Sequence, residues 1–155
     1  GFLFPPLAKL LFLNPLTPWM AARSAGDRER VVRLIQGTGS ELDEAGIDLY
    51  TRLFTSPAHV AAALGMMANW NLHRLESDLP ALDQTLLLIT GENDQAVAPA
   101  DAERVCRQVP CARTKLLTGL GHLAHEEDAG AVADAIFEFT GTEFTRTECI
   151  NSRHE

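Results

Sequence analysis

Two residues have the types and the spacing to work as an acid–base pair. Asp94 follows the apolar run Leu86 to Thr90, which ends at Gly91, and His122 follows a second strand-like run, Arg113 to Thr118. Parallel strands end at one edge of their sheet and lie about 4.8 Å apart, so these two side chains would come within hydrogen-bonding reach there. Their separation of 28 residues suits a single right-handed crossover. We expect Asp94 and His122 to be candidate catalytic residues.

A carboxylate that orients an imidazole is the supporting half of a nucleophilic triad, because it fixes the tautomer and stabilises the imidazolium. A purely structural interpretation is that Asp94 caps a turn and that His122 is a loop histidine hydrogen-bonded to the backbone. His122, His125, Glu126 and Glu127 also raise the possibility of a metal site, but their spacing matches neither HExxH nor HxxEH. We therefore expect no metal and no cofactor, and we expect His125 to Glu127 to begin a helix, where the acidic pair suits the N-terminal dipole.

The first half of the chain predicts consecutive helices without a strand. The predicted helices run from Asp27 to Gly37, from Ser40 to Phe54 and from Ser56 to Trp70. Asp27 is a typical N-cap, Ser40 to Asp43 resembles a capping box with Asp in place of Glu, and Pro57 suits a first helical position.

The second half predicts a βαβα unit. Helices from Pro99 to Gln108 and from Asp128 to Phe139 follow the two strands, and Val132, Ile136 and Phe139 share one face of the last helix. The unbroken apolar run of the first strand suits burial on both faces. We accordingly divide the chain into a helical cap-like region, residues 1–78, a βαβα part, residues 79–140, and a disordered tail, residues 141–155.

The composition narrows the class of partner. The 155 residues carry a net charge of −8, which argues against nucleic acid and against binding to anionic lipid. The apolar start of the chain ends at Asn14, short of the roughly 20 residues that a membrane span needs. The three cysteines are odd in number and show no CxxC pattern, so we expect reduced thiols and a cytoplasmic location.

Two motifs carry a resemblance to a known family. The segment Gly91-Glu92-Asn93-Asp94 with Val97 and Pro99, followed by Gly121 to Glu127, resembles the last two strand–loop units of an α/β-hydrolase. The resemblance implies that Asp94 and His122 are the acid and base of a Ser-Asp-His triad, in the family's order, and that the helical first half is the cap. It also implies an α/β fold in which this chain is the C-terminal part.

Within that family, four segments resemble the magnesium-chelatase accessory hydrolases of bacteriochlorophyll biosynthesis. They are Gly37 to Ser40, Ser56 to Val60, Met66 to Trp70 and Gly119 to Glu127. The resemblance implies a small apolar or tetrapyrrole-like substrate and magnesium chelatase as a partner. Five cap residues could line an apolar pocket for it, or could simply form the core of the cap: Phe12, Trp19, Met66, Met67 and Trp70.

The chain contains no GxSxG motif, which an α/β-hydrolase uses to present its nucleophile. The nearest segment, Ala22 to Gly26 around Ser24, follows no predicted strand. We therefore expect the nucleophile upstream of Gly1, and no triad-dependent activity in these 155 residues alone. Three functions stay open: an acyl or ester hydrolase, a non-catalytic accessory protein that binds porphyrin or chelatase, and a helical interaction module without a site.

Overall fold

The computed structural model describes Leu16, Thr17, Met20 and residues 27–141. The chain divides into two compact units, one formed by Gly1–Leu34 and Leu42–Leu72 and the other by Ile35–Glu41 and His73–Glu155. We describe each unit by itself. Phe12, Trp19, Ser24 and the predicted tail from residue 142 onward lie outside the described residues.

The first unit is helical over its described residues. Helices α1 (Arg28–Gln36, which runs on into the second unit), α2 (Glu44–Phe54) and α3 (Pro57–Ala68) follow one another. Val31 and Ile47 are buried in this unit, and Arg28 forms ion pairs with Glu44 and Asp48 that join α1 to α2. The three predicted helices are confirmed.

The predicted capping box at the start of α2 is wrong. The helix begins at Glu44, and its N-cap is Asp43, whose side chain accepts a hydrogen bond from the Gly46 amide. Ser40 is instead buried in the second unit, where its hydroxyl oxygen accepts a hydrogen bond from the Leu123 amide. A tertiary hydrogen bond to a residue 83 positions away therefore replaces the predicted local one.

The second unit contains the parallel strands. After α4 (Leu72–Asp78) and a 3₁₀ turn (Leu79–Ala81), its elements are β1 (Leu86–Gly91), α5 (Pro99–Cys106), β2 (Ala112–Leu117), α6 (Ala124–Glu127) and α7 (Ala129–Gly141). The two strands pair in parallel, with Leu86 opposite Ala112 and Gly91 opposite Leu117. Both α5 and α7 contact both strands. The α/β class and the βαβα order are confirmed.

Burial in this unit differs from the prediction at two places. No residue of β1 except Gly91 is fully buried, so the strand is half-buried rather than enclosed on both faces. On α7, Ala135 is buried, whereas Ile136, a residue of the predicted apolar face, is 46% exposed. Val132 and Phe139, the other two residues of that face, are half-buried.

The cysteines correct a second expectation. Cys111 is buried and disulfide-bonded, whereas Cys106 is a free thiol whose pKa is raised by burial and by the nearby Glu103 carboxylate. The expectation of three reduced thiols is therefore wrong at Cys111. The cytoplasmic location, which depended on it, stays a prediction. No helix within the described part of the chain is long and apolar enough to span a bilayer.

Candidate active site

The loop that leaves β1 forms a tight turn that presents Asp94. The Asp94 amide donates to the carbonyl oxygen of Gly91 across 3.2 Å, which closes the turn directly at the end of the strand. One carboxylate oxygen of Asp94 then accepts hydrogen bonds from the amides of Ala96 and Val97, each at 2.8 Å. The side chain is 7% exposed. Asp94 is thus held on the inner side of its loop.

The loop that leaves β2 is tied to the first loop by four hydrogen bonds. The amides of Glu92 and Asn93 donate to the carbonyl oxygens of Leu117 and Leu120, across 2.9 and 2.8 Å. The Asn93 side-chain amide donates to the carbonyl oxygen of Gly119, whose own amide donates to the Glu92 carboxylate. These bonds extend the pairing of β1 and β2 beyond the strands and fix the loop that carries the histidine.

At this edge of the sheet, His122 Nδ1 lies 2.9 Å from Asp94 Oδ2. The imidazole is 40% exposed, and Nε2 has no hydrogen-bond partner among the described residues. With Asp94 ionised, Nδ1 donates the proton and Nε2 carries the free lone pair. The expected hydrogen bond between Asp94 and His122 is therefore present. The other ring nitrogen, Nε2, can accept a proton from a group that approaches from solvent.

The pKa of Asp94 is lowered below its ordinary value of 3.8. Desolvation by burial is the largest influence and opposes ionisation, but the donors outweigh it: the Val97 amide, the His122 ring and the Ala96 amide. Asp94 is accordingly a carboxylate at neutral pH, which is the state that orients a neutral imidazole and stabilises it when it becomes charged.

The structure gives no support to a metal centre at the second histidine. Within the described part of the chain, no group of three or more His, Cys, Asp or Glu side chains could hold a metal ion. His125 Nε2 lies 3.5 Å from the Glu126 carboxylate, and both carboxylate oxygens of Glu127 accept hydrogen bonds from backbone amides. His125 to Glu127 are the last three residues of the short helix α6, which begins at Ala124, and the next helix, α7, begins only at Ala129. The expectation that they start that next helix is therefore wrong.

The predicted pocket residues are described only in part. Met66 and Met67 lie on α3, and Trp70 follows that helix; Met66 is 59% and Trp70 43% exposed. Exposed side chains of this size do not form the core of their unit, although their role in a pocket stays a prediction. A separate cavity of about 140 Å³ lies between the strands and α7, and Asp94 and His122 are absent from its lining.

Sequence reasoning missed two residues that support the site. Glu127 accepts from the Gly121 amide and Ser40 accepts from the Leu123 amide, so the backbone N–H groups of the residues before and after His122 are both bonded to side chains. Ser40 was interpreted as a helix cap and Glu127 as a residue that favours a helix dipole. The one sequence signal that points to a shared role is that Gly37 to Ser40 and Gly119 to Glu127 are both segments of the family resemblance.

Comparison with known proteins gives the family. The model of the alpha/beta hydrolase family matches residues 2–135 of the chain. The chain belongs to the α/β-hydrolase family. The parallel strands, with a loop aspartate and then a loop histidine at their ends, agree with that family's order of acid and base.

One curated protein is similar to most of the chain. The chain is 35% identical, over 139 residues, to the protein named magnesium-chelatase 30 kDa subunit of Rhodobacter capsulatus. The alignment covers 90% of this chain and 49% of the relative. The chain thus spans about half the length of the curated relative that it matches.

Proposed function

We propose that Asp94 and His122 are the acid and base of a serine hydrolase that cleaves an ester or related acyl bond. The observation that carries the proposal is the 2.9 Å hydrogen bond to His122 Nδ1, with Nε2 left without a partner among the described residues. The nucleophile is supplied from outside these 155 residues, which contain no GxSxG motif. In this proposal residues 1–78 are the cap, and residues 79–140 end the hydrolase core.

The chemistry follows from the two nitrogen atoms of one ring. His122 Nε2 removes the proton of the serine hydroxyl as its oxygen attacks the substrate carbonyl, and it later returns that proton to the leaving group. Asp94 stays ionised throughout, holds the Nδ1–H tautomer and stabilises the imidazolium between the two transfers. The backbone amides that donate to Asp94 keep it aimed at the ring, so that the base is oriented before substrate arrives.

The similarity to a magnesium-chelatase subunit supports a place for this hydrolase beside magnesium chelatase in bacteriochlorophyll biosynthesis. We propose an apolar or tetrapyrrole-like substrate for it. The exposed apolar side chains of Met66 and Trp70, with Met67 between them, offer a surface that suits such a ligand. Phe12 and Trp19, the other two residues predicted for the pocket, lie outside the described residues.

A fluorophosphonate probe tests the catalytic proposal on the full-length protein. Such a probe modifies a serine only when a neighbouring base activates it. We expect rapid labelling of the wild type, loss of labelling in His122→Ala and unchanged labelling in His125→Ala, which removes the neighbouring exposed histidine. Equal labelling of the His122→Ala variant and the wild type would mean that the pair is not catalytic.

The name of the relative, a chelatase subunit, favours a second candidate function: a non-catalytic accessory protein that binds porphyrin. Absorbance titration of the full-length protein with a magnesium-free porphyrin tests it. A spectral shift at micromolar protein that is weakened by Trp70→Ala, and not by Leu49→Ala on another exposed part of the same unit, supports this function. The absence of any shift counts against it.

A further inference from the structure

A segment far from both catalytic loops in sequence lies against them in the second unit. We call residues 37–41 the clamp segment. Its Thr38 carbonyl oxygen accepts a hydrogen bond from the amide of Gln95, the residue that follows Asp94. Its Ser40 hydroxyl accepts from the Leu123 amide at 2.8 Å, beside His122. The clamp segment therefore touches the loop of the acid and the loop of the base.

One carboxylate joins the clamp segment to the histidine loop a second time. Glu127 Oε1 accepts from the Gly121 amide at 2.9 Å, and Oε2 accepts from the Glu41 amide at 3.1 Å. The two amides adjacent to His122 in the chain, those of Gly121 and Leu123, are thus both bound by side-chain oxygens. Bonds to an ionised acceptor are the stronger kind, and Ser40 is completely buried, where a lost partner is costly.

The backbones at this point are in direct contact. Gly39 has a φ of +82°, and a Cβ atom built on it would overlap the carbonyl oxygen of Asn93. A Cβ atom on Gly121 would in turn overlap the carbonyl oxygen of Gly39. Only glycine fits both places. The peptide that precedes His122 consequently has no room to shift towards the clamp segment.

We propose that Glu127 and Ser40 are positioning residues that hold the backbone on both sides of His122 and so fix the direction in which its ring meets Asp94. The hydrogen bonds of both side chains go to backbone amides and not to the ring, so both act through the peptide chain. The value of this for catalysis rests on the proposed hydrolase function. A displacement of a catalytic group by about 1 Å can lower turnover about 100-fold, so small shifts of this loop matter.

The sharpest variant is Glu127→Gln, which keeps the size of the side chain. A carboxamide has one acceptor oxygen, so one of the two amides, Gly121 or Glu41, must face an NH₂ group instead. The matched control is Glu126→Gln, the same change one residue earlier on α6, at a carboxylate that pairs with His125. Ser40→Ala is the second variant, because it removes the bond to the Leu123 amide and leaves both hydrogen bonds of Glu127 in place.

Nuclear magnetic resonance of the protein with ¹⁵N-labelled histidine reads the ring directly and needs no catalytic activity. We expect Glu127→Gln and Ser40→Ala to shift and broaden the His122 Nδ1 signal, and Glu126→Gln to leave it unchanged. In the full-length protein, we expect both positioning variants to lower kcat about 100-fold with little change in KM.

The two readouts separate the two proposals. If the ring signal is shifted in Glu127→Gln and Ser40→Ala but the wild-type protein has no hydrolase activity, the positioning role is supported and the catalytic role is refuted. His122 signals that superimpose on those of the wild type in both Glu127→Gln and Ser40→Ala would overturn the positioning role, whatever the activity.

Discussion

The substitution Asp94→Asn changes one atom of the side chain and tests how much the buried carboxylate stabilises the fold. Asp94 accepts three hydrogen bonds, from the amides of Ala96 and Val97 and from His122 Nδ1, at 2.8 to 2.9 Å. The asparagine oxygen can keep the two amide bonds, but as neutral bonds, and its NH₂ group then faces the ring. The ring must take the other tautomer to accept from it.

The size of the effect follows from those three contacts. Hydrogen bonds to a charged acceptor contribute roughly 1.5–3 kcal/mol and neutral ones roughly 0.5–1.5 kcal/mol. Removing the charge also removes the cost of desolvating it, which offsets part of the loss. We expect Asp94→Asn to lower the free energy of unfolding by about 1–2 kcal/mol at pH 7. The control Asp134→Asn, at an exposed site on α7, should change it by less than about 0.5 kcal/mol.

The lowered pKa of Asp94 determines how the stability of the protein changes with pH. The pKa of Asp94 is lower in the folded protein than its ordinary value of 3.8, so the unfolded chain binds the proton more tightly. The stabilisation is therefore complete above that value and is lost as the pH falls through the lower folded pKa. Urea unfolding at pH 7 and at stepwise lower pH should show the gap between wild type and Asp94→Asn closing below pH 3.8. A gap that is absent at pH 7, or equal at pH 7 and in acid, refutes this reasoning.

Two further predictions concern the backbone around the site and the first unit. Gly121→Ala should lower the free energy of unfolding by more than about 2 kcal/mol in urea titration, because the new methyl group would overlap the carbonyl oxygen of Gly39; Gly141→Ala, which has open space around it, should have no such cost. Similar midpoints for the two variants would contradict the close contact. Asp43→Ala should lower the free energy of unfolding by about 1 kcal/mol, because the Gly46 amide loses its hydrogen bond to the capping side chain. Asp43→Asn, which can still accept that bond, should retain most of the stability. An Asp43→Ala variant as stable as the wild type would show that this cap contributes nothing.

The hydrogen-bonded pair of Asp94 and His122 could be predicted because strand signals and loop position are local. An apolar run that ends at Gly91 places Asp94 just beyond the end of a strand, and parallel pairing brings the next strand's loop to the same edge. The register brings the two loops together, and the hydrogen bonds between the loops complete the placement of His122. Helix starts at Asp27 and Ser56 were equally local, because a capping side chain bonds to an amide two or three residues away.

Features set by tertiary contacts could not be predicted. Ser40 and Glu127 bond to amides 83 and 86 residues distant, and nothing near either residue indicates which loop will be adjacent. On α7, the sequence indicates an apolar face but not how much of it is buried, and Ile136 on that face is 46% exposed.

The most direct test of the central claim is the hydrolysis of an activated ester by the full-length protein and by three of its variants. If Asp94 and His122 act as one unit, Asp94→Asn should lower kcat about 10⁴-fold, His122→Ala should lower it by a similar factor, and the double variant should be no slower than the slower single variant. A single variant with wild-type turnover, or a double variant whose loss is the product of the two single losses, would contradict the claim.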